Sequence, residues 1–124
     1  MRVAWVCLVI VSLGILGFGV ITVLPSVARG NLLIVANGLA SIGLGLFGGL
    51  IVVIPFRRGD RWAWLVLWFY PLFWLVHLVA DLPPGKDHIH QIVFTVLSAA
   101  GLLLPVRDMI GAGRPPTSRT RSGA

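Results

Sequence analysis

The sequence predicts an all-α protein, an integral membrane up-down-up-down four-helix bundle. Three observations carry this prediction: four long apolar stretches, a scarcity of charge, and the placement of the arginines. A bilayer core of about 30 Å needs roughly 20 helical residues at about 1.5 Å each. Each apolar stretch comes close to that length. The stretches lie at 3–24, 33–54, 62–80 and 89–106.

Composition indicates that most side chains do not face water. Hydrophobic residues make up 57% of the 124-residue chain and charged residues only 11%, whereas soluble domains carry about 25% charged residues. Too few charges exist to coat a soluble globule. We therefore expect one four-helix transmembrane domain over residues 1–111. Residues 112–124 are rich in Gly, Pro, Ser, Thr and Arg, which predicts a disordered basic cytoplasmic tail.

The basic residues predict the orientation. With four spans, both termini and the second connection share one side, and that side holds eight of the ten basic residues. These eight are Arg2, Arg57, Arg58, Arg61, Arg107, Arg114, Arg119 and Arg121. The opposite side holds Arg29 and Lys86. The positive-inside rule then places both termini in the cytoplasm of a multi-pass protein of the bacterial plasma membrane.

The net charge of +6 fits anionic lipid headgroups beside the span ends. It does not indicate nucleic acid, because no basic patch is interleaved with aromatics on a soluble face. Nine of the ten basic residues are arginine, which is typical of GC-rich bacterial genomes.

The first stretch also has features of a signal peptide, since Met1-Arg2 precedes it and the small residues Ser26-Val27-Ala28 follow it. Its apolar run of about 22 residues exceeds the usual 7–15. We expect a retained transmembrane helix.

Small residues form a stripe on the second stretch, where Asn37, Ser41, Gly45 and Gly49 recur every four positions. Gly45 and Gly49 make a G-x-x-x-G pattern, which lets helix backbones approach closely in lipid. We expect the second helix to be the centre of the bundle, packed through this stripe within the chain. A homodimer face is the alternative.

The third stretch is bulky and aromatic. Trp62 and Trp64 adjoin the arginine-rich connection, where indoles prefer the headgroup zone. Pro71 cannot donate to the Leu67 carbonyl, so we expect a distortion at this point of the helix.

A polar layer is predicted near the outer leaflet. Tyr70, Trp74, His77 and Asp81 fall on one helix face by their spacing, and Asp87 suits the N-cap of the next helix. Asn37 and His90 should lie at similar depth. Three interpretations stay open. In the first, the polar groups are only structural. In the second, His77 together with His90 or His88 binds haem iron or a metal, and Asp81 orients the histidine ligand. In the third, these residues form a pocket for a quinone, a lipid headgroup or another apolar ligand. That pocket would comprise Asn37, Tyr70, Trp74, His77 and Asp81.

Several chemistries lack their residues. The chain has no glutamate, and its four aspartates lie at span edges, whereas proton-coupled transporters carry an intramembrane acid. Small four-helix multidrug exporters share this size, but their membrane glutamate has no counterpart. Cys7 is the only cysteine, so neither an intrachain disulfide nor a C-x-x-C redox pair exists. We expect no enzymatic activity and no resident cofactor.

One stretch carries a resemblance. Residues Pro55-Phe56-Arg57-Arg58-Gly59-Asp60-Arg61-Trp62-Ala63-Trp64, followed by Pro71-Leu72-Phe73-Trp74 and His77, are similar to small four-helix bacterial membrane proteins of undefined function. Such proteins begin the third span with an R-x-G-x-R-W-A-W-type turn. The resemblance implies membrane architecture and no reaction.

The sequence thus favours a non-enzymatic accessory or interaction subunit of a membrane assembly. Outer-leaflet binding of haem, metal, quinone or lipid around His77 and His90 is the alternative, and a small transporter is third.

Overall fold

The computed structural model describes residues 2–80 and 88–111, and their regular structure is entirely helical. The all-α fold class is confirmed. The expected tail and Asp87 cap lie outside the described residues. The elements are α1 (Arg2–Ala28), α2 (Leu32–Ile51), a π-helical turn (Val52–Phe56), α3 (Arg61–Leu67), α4 (Phe69–Val79), α5 (Ile89–Leu103) and α6 (Val106–Gly111).

Four helical segments of these elements are long and apolar enough to cross a membrane. Their starts agree with the predicted ones to within one residue, but the first, second and fourth end four, two and five residues later than predicted. The first continues through Pro25 because a proline near a helix end removes only one late hydrogen bond. The segments are Arg2–Ala28, Leu32–Phe56, Arg61–Val79 and Ile89–Gly111.

The connection after α1 is therefore shorter than the sequence indicated. Gly30 takes a φ of 67°, a left-handed conformation that glycine adopts without strain. Asn31 follows as the N-cap of α2, and its side-chain oxygen accepts a hydrogen bond from the Ile34 N–H at 3.3 Å. The chain reverses direction in three residues, so α1 and α2 are neighbours from the turn onward.

Each segment contains one proline, and three of the four prolines coincide with a helix irregularity. Pro55 lies in the π-helical turn, the third segment is interrupted at Trp68 shortly before Pro71, and the fourth is interrupted at Pro105. Proline lacks the N–H that a regular helix needs at these points. The distortion expected around Pro71 is present.

Side chains from the third segment bond carbonyls of the fourth. The indole N–H of Trp64 donates to the Leu102 carbonyl at 2.9 Å, close to the interruption at Pro105. Arg61 donates to the carbonyls of Met109 and Ile110 at 2.5 and 2.6 Å. A cation at a helix C-terminus meets the negative end of the helix dipole, so Arg61 fastens the start of α3 to the end of α6.

The central helix is α1, not α2. It packs along α2 and also against α5. A Cβ on Gly45 would lie 2.6 Å from the Leu16 nitrogen, and one on Gly14 would lie 2.5 Å from a ring carbon of Phe94. The expectation that the second helix is central is wrong. A small-residue stripe shows that a helix can approach one neighbour closely, but it does not show how many neighbours the helix has.

Candidate functional site

Six ring side chains pack together between α1, α4 and α5, and we call them the Trp74 cluster. Trp74 is 1% exposed. Its ring centroid lies 5.1 Å from Phe94 and 5.6 Å from His77. Aromatic pairs at such distances contribute beyond their buried area. The members are Phe18, Phe73, Trp74, His77, His90 and Phe94.

His77 is held by its own helix. Its Nδ1 lies 3.0 Å from the Phe73 carbonyl oxygen, and a carbonyl only accepts, so this contact places the imidazole proton on Nδ1. The ring leans over Phe73 with centroids 4.2 Å apart. In the neutral imidazole this leaves the lone pair on Nε2, the nitrogen that could bind a metal.

His90 belongs to the Trp74 cluster, whereas His88 is engaged elsewhere. The His90 ring stacks on Phe18 at 4.9 Å and meets Trp74 edge-on at 6.0 Å. His88 Nδ1 lies 3.0 Å from Oε1 of the fully buried Gln91. The structure thus gathers His77 and His90 around one indole. Within residues 2–80 and 88–111, no three His, Cys, Asp or Glu side chains come together as a metal site would require.

Tyr70 lies at a different interface from Trp74, although both belong to one predicted face. Its hydroxyl is 2.9 Å from Ser12 Oγ and 3.3 Å from the Leu44 carbonyl oxygen. Gly48 makes room for it, since a Cβ there would overlap the Tyr70 hydroxyl oxygen. Tyr70 therefore joins α1, α2 and α4, and we call this contact the Tyr70 junction.

The predicted ligand pocket is only partly gathered. Trp74 and His77 touch, and the rings around them belong to Phe18, Phe73, Phe94 and His90. Asn37 lies on α2, where its carbonyl accepts a hydrogen bond from the Ser41 hydroxyl at 3.0 Å. Asp81 lies outside the described residues.

The predicted packing stripe faces α1. Ser41 and Gly45 are buried, and Gly49 is half-buried. A Cβ on Gly49 would lie 3.5 Å from Ser12 Cβ, an ordinary contact distance, whereas Gly45 lies directly against the Leu16 backbone. The stripe thus lies in an interface within the chain.

Sequence reasoning missed Ser12, Phe18 and Phe94. Ser12 had a readable signal, because it and Thr22 are the only hydroxyl side chains in residues 3–24. A polar side chain in an apolar helix is a candidate for a hydrogen bond to a neighbouring helix; Ser12 donates to the Leu8 carbonyl of its own helix and also contacts the Tyr70 hydroxyl. Phe18 and Phe94 carried no such signal, because apolar rings are common on lipid-facing surfaces.

The comparisons with known proteins do not identify the chain: no family model, no curated protein and no solved structure matches it.

Proposed function

We propose that this chain is a four-span integral protein of a bacterial plasma membrane that performs no chemistry itself and serves as an interaction subunit of a membrane assembly. Its segments form an up-down-up-down bundle with both termini in the cytoplasm. The antiparallel pairing of α1 with α2 supports that topology, since Leu16 meets Gly45 and Trp5 meets Arg57.

The outer surface supports membrane embedding. Large apolar side chains are exposed on every long segment, among them Leu13, Phe47, Leu72 and Val96. Soluble monomers rarely expose contiguous apolar patches of such extent. Hydrocarbon or other helices must cover these faces.

The observation that carries the interaction role is a second small-residue stripe on α2. Ala36, Ala40, Gly43 and Phe47 follow a spacing of four, three and four, which is one helix face. Both alanines and Phe47 are exposed, and a Cβ on Gly43 would meet nothing within 4 Å. This face points away from α1. Small residues on an uncovered helix face permit close approach of another transmembrane helix.

Cysteine crosslinking in native membranes tests this role. In a Cys7→Ser background, Ala40→Cys should give a crosslinked adduct of defined mass, whereas Leu72→Cys, exposed on α4, should not. Gly43→Leu should abolish the adduct without unfolding the protein, because the space at Gly43 is open. Adducts of equal yield from both positions, or an adduct that survives Gly43→Leu, would contradict the proposal.

A further inference from the structure

An apolar groove runs along the outer side of the α1–α2 seam and ends at Val53, one helical turn before Arg57. Its volume is about 230 Å³, and nearly all of its lining is aliphatic or glycine. Leu13, Leu46 and Leu50 are about half exposed or more. Val53 closes the groove at one end and also lines the next pocket.

That next pocket, of about 360 Å³, is lined by Val53, Ile54, Arg57 and Arg58. Arg57 in turn lines a third pocket, of about 440 Å³, together with Arg2, Trp5 and Val6. Because each neighbouring pair shares a lining residue, the three volumes adjoin one another, and we call them together the track. It is apolar at one end and cationic at the other.

The arginines of this track differ from Arg61. Arg61 donates to two backbone carbonyls, which fixes it as a structural residue. The Arg57 guanidinium instead lies 5.4 Å from the centre of the Trp5 ring. Stacking on an indole orients a guanidinium while leaving its N–H groups directed outward. Arg2 begins α1, where the helix dipole adds partial positive charge.

The length of the track matches one leaflet. Leu16 faces Gly45 at the groove end, and Trp5 faces Arg57 at the cationic end. Between Leu16 and Trp5 the helix rises about 16 Å, close to half of a hydrocarbon core of about 30 Å. An acyl chain in the groove would therefore begin at the depth of the arginines.

We propose that this track is a binding site for one anionic phospholipid of the cytoplasmic leaflet. Its phosphate binds between Arg2, Arg57 and Arg58, and one acyl chain lies in the groove between α1 and α2. Charge complementarity selects this occupant, since arginine pairs bidentately with phosphate, and a second helix would bring no anion to the arginines. The inference rests on the membrane embedding proposed above.

Native mass spectrometry of the full chain in mild detergent tests the site. The chain is titrated with phosphatidylglycerol and with phosphatidylcholine of the same acyl chains. We expect preferential binding of phosphatidylglycerol. Arg57→Gln should weaken it roughly fivefold and Arg2→Gln/Arg57→Gln roughly thirtyfold, as expected for one arginine contact each at a membrane surface. Arg107→Gln, an exposed arginine at the same end but outside the pockets, should change nothing.

A second pair of variants tests the groove. Gly49→Val fills it at a position where a Cβ makes only ordinary contact, so the fold should persist while lipid affinity falls severalfold. Gly17→Val, at an open glycine outside the groove, is its matched control. The proposal is overturned by equal binding of the two lipids, by displacement of the lipid with millimolar inorganic phosphate, or by a change of oligomeric state instead of lipid affinity in Gly49→Val.

Flotation of the same protein with lipid vesicles separates this proposal from the preceding one. If the chain floats with the vesicles but shows no headgroup preference, only the lipid-site proposal is refuted. A chain that does not float with vesicles overturns the membrane role as well.

Discussion

The glycine contacts between α1 and α2 and the part of the α1–α4–α5 seam that holds the Trp74 cluster are packed in opposite ways. The first brings backbones together, since a Cβ on Gly45 would lie 2.8 Å from Leu16 Cα. The second is filled by the Trp74 cluster, with ring centroids 4.2–6.0 Å apart. In the membrane location proposed above, helices gain little from burying apolar surface against one another. Each seam is therefore stabilised mainly by van der Waals packing. The two seams should respond differently when a substitution adds or removes side-chain volume.

The glycine seam should tolerate no added volume. In Gly45→Leu the new side chain meets the Leu16 backbone, which can yield only if α1 and α2 separate. We expect destabilisation of about 3 kcal/mol or more, measured as SDS-induced unfolding in mild detergent. Gly17→Leu, at an open glycine, carries the same change in helix propensity and should unfold like the wild type. Equal unfolding of both variants would refute the seam.

The ring seam should suffer from removed volume. Trp74→Ala leaves a cavity between Phe18, His90 and Phe94. Core Trp→Ala substitutions in water cost about 3–5 kcal/mol, and since transfer into lipid contributes little, we expect about 2 kcal/mol. Trp62→Ala, at a residue 54% exposed, is the control and should have little effect in the same unfolding assay. An equal loss in both variants would show that the cluster adds no packing energy.

The Tyr70 junction connects the two seams, and its coupling should be small. Side-chain hydrogen bonds between membrane helices average about 0.6 kcal/mol in double-mutant cycles. We expect a coupling free energy of this size between Tyr70→Phe and Ser12→Ala, measured from the stabilities of the two single variants and the double variant. Strict additivity would mean that the 2.9 Å contact of the hydroxyls contributes nothing to stability.

The smallest expected effect is spectroscopic. If the Trp74 cluster is purely structural, purified protein incubated with haemin should show no Soret band beyond that of free haemin, and His77→Ala should leave the spectrum unchanged. A band that appears with the wild type and disappears in His77→Ala would instead support cofactor binding at His77 and His90.

The segments were predictable because the length of an apolar stretch can be read directly along the sequence. The predicted starts at 3, 33, 62 and 89 lie within one residue of the observed starts at Arg2, Leu32, Arg61 and Ile89. Helix ends were less predictable at prolines. Pro25 does not end α1, because only the bond to the Ile21 carbonyl is lost there.

The site was less predictable than the fold. Tyr70, Trp74 and His77 share a face by spacing, but one face of a helix in a bundle can meet two neighbours. Tyr70 meets α1 and α2, while Trp74 also meets α5. Spacing fixes the face of a residue; the identity of the neighbour depends on packing that no local pattern encodes.

The contact of Arg61 with α6 sets an order of events during synthesis. Its acceptors, the Met109 and Ile110 carbonyls, lie 48 and 49 positions further along the chain. The ribosome must therefore synthesise the fourth segment as far as Ile110 before Arg61 can make both hydrogen bonds. A nascent chain that stalls before Met109 should leave Arg61 without these acceptors, and a protease could distinguish that open end of the bundle from the finished protein.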